Sequence, residues 1–412
     1  MTMCKSRAFF RSLVLVAVLA TTNSALAQEN VSVAWPCWRG PYRNGISTET
    51  GWNRFWSVAG PKILWKASVG KGFSSFAVAA GRVYTMGNAE GTDTVFCLDA
   101  DAGKILWKQS YPCPLTPLAY EGGPSATPAM DGDRVYTLSK SGHLFCFDAG
   151  TGTVLWSKKF DHAPWKMGDY PVNWGYAASP LVLGEKLILS VGWAGMALNK
   201  TDGNLLWDNG PGRPGYSSPV PFLLGERLCL AMLVARGVVA VEADAGKILW
   251  TIPWRTTWDQ NAPDVIVSDG KLFVSTGHGV GCALFDISSG MPKEIWRNKN
   301  MRNELSNSVL WQGFLYGFDK DRLACIDWET GNSRWSEPGL GRGTLILVDG
   351  HLIALGDRGK LVLAEANSQC FKALGTVQMP AEGRYWTVPA VSCGRIFVRN
   401  AAGDVVCVDV RK

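Results

Sequence analysis

The chain has 412 residues, 47% hydrophobic and 18% charged, with 46 glycines and no low-complexity tract, which permits a large ordered core and excludes an intrinsically disordered protein. Its formal net charge is +6; residues 1–27 hold Lys5, Arg7 and Arg11 and no acid, so the remainder carries 38 basic against 35 acidic residues, or +3. A surface so nearly balanced argues against nucleic acid as a partner.

Residues 1–27 read as a secretory signal peptide. The three basic residues precede the apolar stretch Ser12–Ala20, and the small-residue sequence Ala25-Leu26-Ala27 marks cleavage near Ala27. That stretch is too short to span a bilayer and nothing later is long enough, so the sequence predicts an exported protein, periplasmic or extracellular, without a membrane span. Cys4 precedes the apolar run, out of place for a lipid anchor. Residues 28–60 form an extension outside any repeat. It carries WPCWRGPYRNG at Trp35–Gly45, with further tryptophans at Trp52 and Trp56, and is expected to pack these rings on the domain that follows, residues 61–412.

That domain is a repeat array. Ala100–Trp107 reads ADAGKILW and recurs letter for letter at Ala243–Trp250. Weaker copies place an acidic or amide residue at Asp99, Asp148, Asn199, Glu242, Asp286, Asp327, Glu365 and Asp409, spaced 38 to 51 apart, each with a turn glycine 14 to 18 residues upstream. Within a unit the apolar runs are short, alternating and bounded by Asp-Gly, Ser-Gly or Thr-Gly turns, which is strand and hairpin chemistry. Four strands fit each unit, so the fold class is all-β, a propeller of four-stranded antiparallel blades. The eighth unit reaches Lys412 three residues after Asp409, while Pro61–Trp65 reads PKILW with no complete unit before it. Pairing this N-terminal strand with the last three completes the eighth blade and closes the ring.

The pattern D-A-x-x-G-K-x-L-W at Asp99–Trp107 resembles the pyrroloquinoline-quinone-like (PQQ-like) repeat of eight-bladed propellers, which serves quinoprotein alcohol dehydrogenases and the propeller lipoprotein of the outer-membrane assembly complex alike. The resemblance covers about residues 61–411 and implies the fold more firmly than any one function.

Trp65, Trp107, Trp156, Trp207, Trp250, Trp296 and Trp335 recur on the outermost strand of their blades, where each ring can cover the gap to the next blade and its N–H can meet a backbone acceptor. A residue that recurs in every blade is structural. Blade seven departs, with Gln369 and Ala373 at its glycine and tryptophan slots, so its outer strand is expected to be the least regular. Cys97, Cys146, Cys325 and Cys407 occupy one repeat position and read as buried thiols, whereas Cys37, Cys113, Cys229, Cys282, Cys370 and Cys393 leave room for one or two disulfides.

A function should stand where the repeat is broken. The longest insertions, residues 108–124, 157–175, 251–262 and 297–307, connect one blade to the next and gather at one face. They and the approach to blade eight supply Trp165, Tyr170, Trp174, Trp254, Arg255, Trp258, Asn303, Arg384 and Trp386, a candidate face for a ligand or partner. In the dehydrogenases that the chain resembles, a quinone stacks between a tryptophan and a ring of two adjacent cysteines beside a calcium ion. This sequence has no adjacent cysteines and no C-x-x-C-H for a haem. Its four histidines have no metal-ligand spacing, and Gly277–Gly281 reads as a hairpin turn of blade five. The reading is therefore an exported, monomeric, non-catalytic propeller without cofactor or metal, binding a protein segment or cell-envelope component as a scaffold; the alternatives are a PQQ- and calcium-dependent alcohol dehydrogenase and an outer-membrane protein assembly factor.

Overall fold

The short alternating runs between turn glycines are strands, and they meet as hairpins. In the first complete unit Ala77–Ala79, Arg82–Ala89, Thr92–Asp99 and Ile105–Pro112 lie side by side in chain order. Glu90 and Gly91, with φ of 50° and 73°, turn the second strand into the third, the left-handed pair that a two-residue hairpin needs. The inner strands are buried on both faces and the outer one exposes alternate residues, because neighbouring sheets cover the former and solvent reaches the latter. The computed structural model describes residues 34–115, 117, 120–160 and 174–412; the expected signal peptide, together with Trp165 and Tyr170, lies outside them. Among the described residues there is no helix, and none therefore long and apolar enough to cross a membrane.

Eight antiparallel four-stranded blades repeat this pattern, the seventh sheet gaining a fifth, parallel strand from the extension. Their first strands adjoin one another around the axis, as Ala77–Ala79 does with both Ala129–Asp131 and Ala390–Ser392, which makes a propeller ring. Ile63–Ser68 pairs antiparallel with Asp404–Asp409, Trp65 opposite Cys407, so the eighth blade joins both ends of the domain.

The repeated tryptophans bridge blades. Trp65 donates its indole N–H to the carbonyl of Ala100 at 3.0 Å, Trp107 to Ala149 at 2.9 Å, Trp156 to Lys200 at 3.1 Å, Trp207 to Ala243 at 3.1 Å, Trp296 to Trp328 at 3.1 Å and Trp335 to Asn367 at 2.7 Å. The turn glycine of the next blade makes room: a Cβ on Gly152, at φ +75°, would stand 2.6 Å from the Trp107 ring. Trp250 is the exception, since its indole nitrogen is buried without a partner. The cause lies in the next turn. Asp286 and Trp296 are ten residues apart where Asp99 and Trp107 are eight, so Gly290 bonds the carbonyl of Ile287 rather than that of the acidic slot, as Gly103 does with Asp99.

Blade seven corrects an expectation. Its outer strand, Ala373–Gln378, is a regular six-residue strand with the same register shift as the others, and the shortest outer strand is Leu205–Asp208 of blade three. The missing tryptophan is replaced from the extension: Trp56 packs on Gly375, Trp52 is buried, and the N–H of Asn53 bonds the carbonyl of Val410 at 2.6 Å, the place a tryptophan N–H holds elsewhere. All ten cysteines among the described residues are free thiols, so none of the disulfides allowed above is formed. Several outer strands also run further than expected, to Pro112, Lys159, Pro253 and Asn298, which shortens the inter-blade insertions.

The extension also fills the channel. Trp35 bridges to Val78 of blade one, the carbonyl of Pro36 accepts from Met130 of blade two, and Arg43 donates to the carbonyls of Pro180 and Ser179 of blade three. Trp38 reaches Asp264 at blade five, and Arg39 donates to the carbonyl of Ser308 at blade six. Ile46–Ser47 pairs parallel with Thr344–Val348 of blade seven, and Glu49 accepts from the N–H of Gly394 in blade eight. The segment is a hairpin plug whose tip is Trp38-Arg39.

Candidate functional site

The mouth of the channel is built by one position of the repeat, two residues before each first strand. In successive blades it holds Ser75, Thr127, Ser179, Ser218, Asp264, Asn307, Arg342 and Val388. The hydroxyls of the early blades clasp their neighbours: the N–H of Ser75 donates to Thr127 Oγ1 at 3.1 Å, that of Thr127 to Ser179 Oγ at 2.9 Å and that of Ser179 to Ser218 Oγ at 3.0 Å. The next link breaks the pattern. Ser218 N–H donates to a carboxylate oxygen, Asp264 Oδ1, at 2.6 Å, and the other oxygen accepts from the indole of Trp38 at 2.7 Å. Burial holds the Asp264 carboxyl above the usual carboxylate range, opposed by Arg39, the Trp38 and Ser218 hydrogen bonds, and Arg43.

Two residues further back stand Phe73, Ser125, Ala177, Tyr216, Ala262, Leu305 and Trp386, and these, with Tyr120 and Trp174 from the inter-blade loops, wall a pocket over Trp38 and Asp264. The rings form a belt. Phe73 lies 5.2 Å from Tyr120 and 5.9 Å from Trp386, Tyr120 stacks at 14° on Trp174 at 6.2 Å, and Trp174 meets Tyr216 edge-on at 5.8 Å. Burial pushes the Tyr216 hydroxyl up to about 12, and Tyr120 is raised for the same reason, so both phenols are neutral at physiological pH. Outside the belt Arg384 lies 4.2 Å over the Trp386 ring and pairs with Glu121 at 3.6 Å.

Of the residues singled out from the sequence, Trp174 and Trp386 line this pocket and Arg384 stacks on Trp386. The others stand elsewhere. Trp254 is buried, donating to Thr276 Oγ1 at 2.8 Å beneath the guanidinium of Arg297. Asn303 is buried too, bonding the carbonyl of Phe318 and the hydroxyl of Ser308. Arg255 and Trp258 are exposed and do not line the pocket. Phe73, Tyr120, Tyr216, Trp38 and Asp264 were missed. The signal for Phe73, Tyr216 and Trp386 is periodic, an aromatic residue four positions before the first strand of blades one, four and eight, and the signal for Asp264 is the acid in a slot that four earlier blades fill with Ser or Thr.

The quinone cofactor that the fold resemblance implies carries three carboxylates and is held with calcium. Among the described residues the pocket lining has no lysine or arginine, its one acid already accepts two hydrogen bonds, and no group of three His, Cys, Asp or Glu residues is placed to hold a metal. The lining does not fit that group.

A family model described as outer membrane protein assembly factor BamB matches residues 53–122 and 114–337. A comparison with curated protein sequences returns no match. Among solved structures, BamB from Moraxella catarrhalis is 16% identical with a TM-score of 0.62, over 85% of this chain and 99% of that one. The quinohemoprotein alcohol dehydrogenase from Comamonas testosteroni is 13% identical with a TM-score of 0.67, over 94% and 82%. A computationally designed protein, Ika8, is 13% identical with a TM-score of 0.59, over 83% and 98%. Likeness at these identities shows the fold alone, and the same fold serves an assembly factor, an oxidoreductase and a designed protein.

Proposed function

We propose, for a chain that belongs to the family described as outer membrane protein assembly factor BamB, that it is an exported, monomeric, non-catalytic binding protein of the cell envelope that takes a protein segment into the aromatic mouth of its channel. The observation that carries this reading is the belt of Phe73, Tyr120, Trp174, Tyr216 and Trp386 over the plug tip. Large rigid rings in a concave site supply contact area at little conformational cost, which is how the dominant residues of protein interfaces work. The rings rest on a closed ring of blades, so the site is organised before a partner arrives. Membership of this family and the likeness to BamB from Moraxella catarrhalis favour a role in outer-membrane protein assembly over other envelope roles.

The test is selection of binding peptides from a displayed random library on the purified protein, with each hit titrated against Trp386→Ala and Tyr216→Ala. Loss of affinity by about thirtyfold in either variant is expected for a central aromatic contact. Titration with PQQ and calcium tests the dehydrogenase reading: saturable quenching of tryptophan fluorescence with a raised melting temperature, lost in Trp386→Ala, would overturn the proposal.

A further inference from the structure

We infer that the mouth is selective for an organic cation, the guanidinium or ammonium of an arginine or lysine side chain carried by the bound segment; this rests on the reading of the mouth as the binding site. The belt runs unbroken from Trp386 through Phe73, Tyr120 and Trp174 to Tyr216, with Trp38 beneath. Ring faces carry negative charge density and attract cations within about 6 Å of the centroid. The protein contains its own instance, since Arg384 lies 4.2 Å over Trp386.

The second observation is independent. Among the described residues Asp264 is the sole ionisable acid or base side chain of the lining apart from the two tyrosines, and it is 7% exposed. Thr127, Ser179 and Ser218 accept the same backbone N–H from the preceding blade with a neutral hydroxyl. The carboxylate makes a shorter clasp, 2.6 Å, and takes a second bond from Trp38, but burying its charge costs desolvation that a hydroxyl does not. That cost is understandable where a positive ligand stands over it. Arg39 and Arg43 act on Asp264 through space but offset only part of that cost, and their N–H groups are taken by carbonyls. Arg39 donates to the carbonyls of Asn44 and Ser308, and Arg43 to those of Pro180 and Ser179. Beyond Leu305, Arg342 pairs with Glu304 at 3.2 Å, and Arg384 pairs with Glu121 at 3.6 Å.

The experiment titrates the purified protein with acetyl-arginine amide and with acetyl-citrulline amide, which keeps the shape and lacks the charge, following tryptophan fluorescence. The arginine compound is expected to bind at least about tenfold more tightly, with the advantage reduced in Asp264→Asn and binding of both lost in Trp386→Ala. The comparison on the unaltered protein stands even if Asp264→Asn fails to fold. Equal binding of the two compounds overturns the cation assignment. Binding of neither, while selected peptides still bind through Trp386, overturns the cation and leaves the binding site standing. Choline binding about tenfold tighter than the arginine compound overturns a protein side chain as the source. No response of any ligand or peptide to Trp386→Ala overturns the site itself.

Discussion

Trp107 and Trp250 occupy one repeat position, are 8% and 6% exposed, and differ in one respect. The Trp107 N–H bonds the carbonyl of Ala149 at 2.9 Å, whereas that of Trp250 is buried and unpaired. Replacing each by Phe removes a similar part of a buried ring, so the difference between the two isolates the N–H. In Trp107→Phe the lost bond costs about 1 kcal/mol, because the Ala149 carbonyl keeps its bond from the Tyr84 hydroxyl. In Trp250→Phe an unsatisfied donor is removed, which returns roughly 1–3 kcal/mol. Trp250→Phe should therefore be the more stable variant by at least about 2 kcal/mol, read as the difference in urea unfolding free energy followed by circular dichroism. Deleting Met291 and Pro292 restores the eight-residue spacing of that turn and should seat the Trp250 ring, reversing the order. Equal losses in the two variants, or a larger loss at Trp250, would refute the account of how these rings bridge blades.

Further outcomes follow from the same geometry. Thiol labelling of the folded protein should modify Cys370 and Cys393 rapidly, both being exposed, and reach the eight others among the described residues only on unfolding. Gly152→Ala should cost several kcal/mol in thermal or urea unfolding, since its φ is +75° and its Cβ would meet the Trp107 ring at 2.6 Å. Burial raises the carboxyls of Asp93, Glu49 and Asp264. A carboxyl whose folded pKa lies above its unfolded value binds more protons in the folded state, so its contribution falls as pH rises from the ordinary carboxylate range through the raised value. Asp93→Asn should flatten the decline over that window, and an unchanged slope in pH-dependent unfolding would count against it. Hydrogen-bonded Asp148, Asp286, Glu365 and Asp409 have lowered pKa values and act in the opposite sense, losing stability as pH falls.

The propeller was legible because the residues that make it recur. Asp99 closes its turn through hydrogen bonds to Asp101 and Ala102, Trp107 reaches the next blade, and each blade repeats the arrangement with small changes. The site was only half legible for the complementary reason: it is assembled from single positions contributed by different blades. Insertion length pointed to Trp174, but it pointed equally to Trp254 and Asn303, whose side chains are consumed in holding their loops against the blades. Phe73 and Tyr216 lie in no insertion at all. Trp38 was visible only as part of an extension, because nothing in a linear pattern says that a hairpin passes through a ring formed by residues that come after it.

That hairpin and the shared eighth blade impose an order on how the molecule comes together. Trp65 pairs with Cys407, so the strand that closes the ring must wait until more than three hundred later residues have been made. Bringing such distant segments together grows in entropic cost only as the logarithm of their separation, but it cannot begin early. Until then the first complete blade and the latest one each lack a neighbour on one side, and residues 34–49 have no finished channel to occupy. The aromatic mouth, whose floor is Trp38 and whose wall includes Trp386, is thus among the last parts to form. Binding competence becomes a report that the whole chain has arrived, and a truncated product lacking the last strand would expose the unpaired edges of a sheet instead of a site.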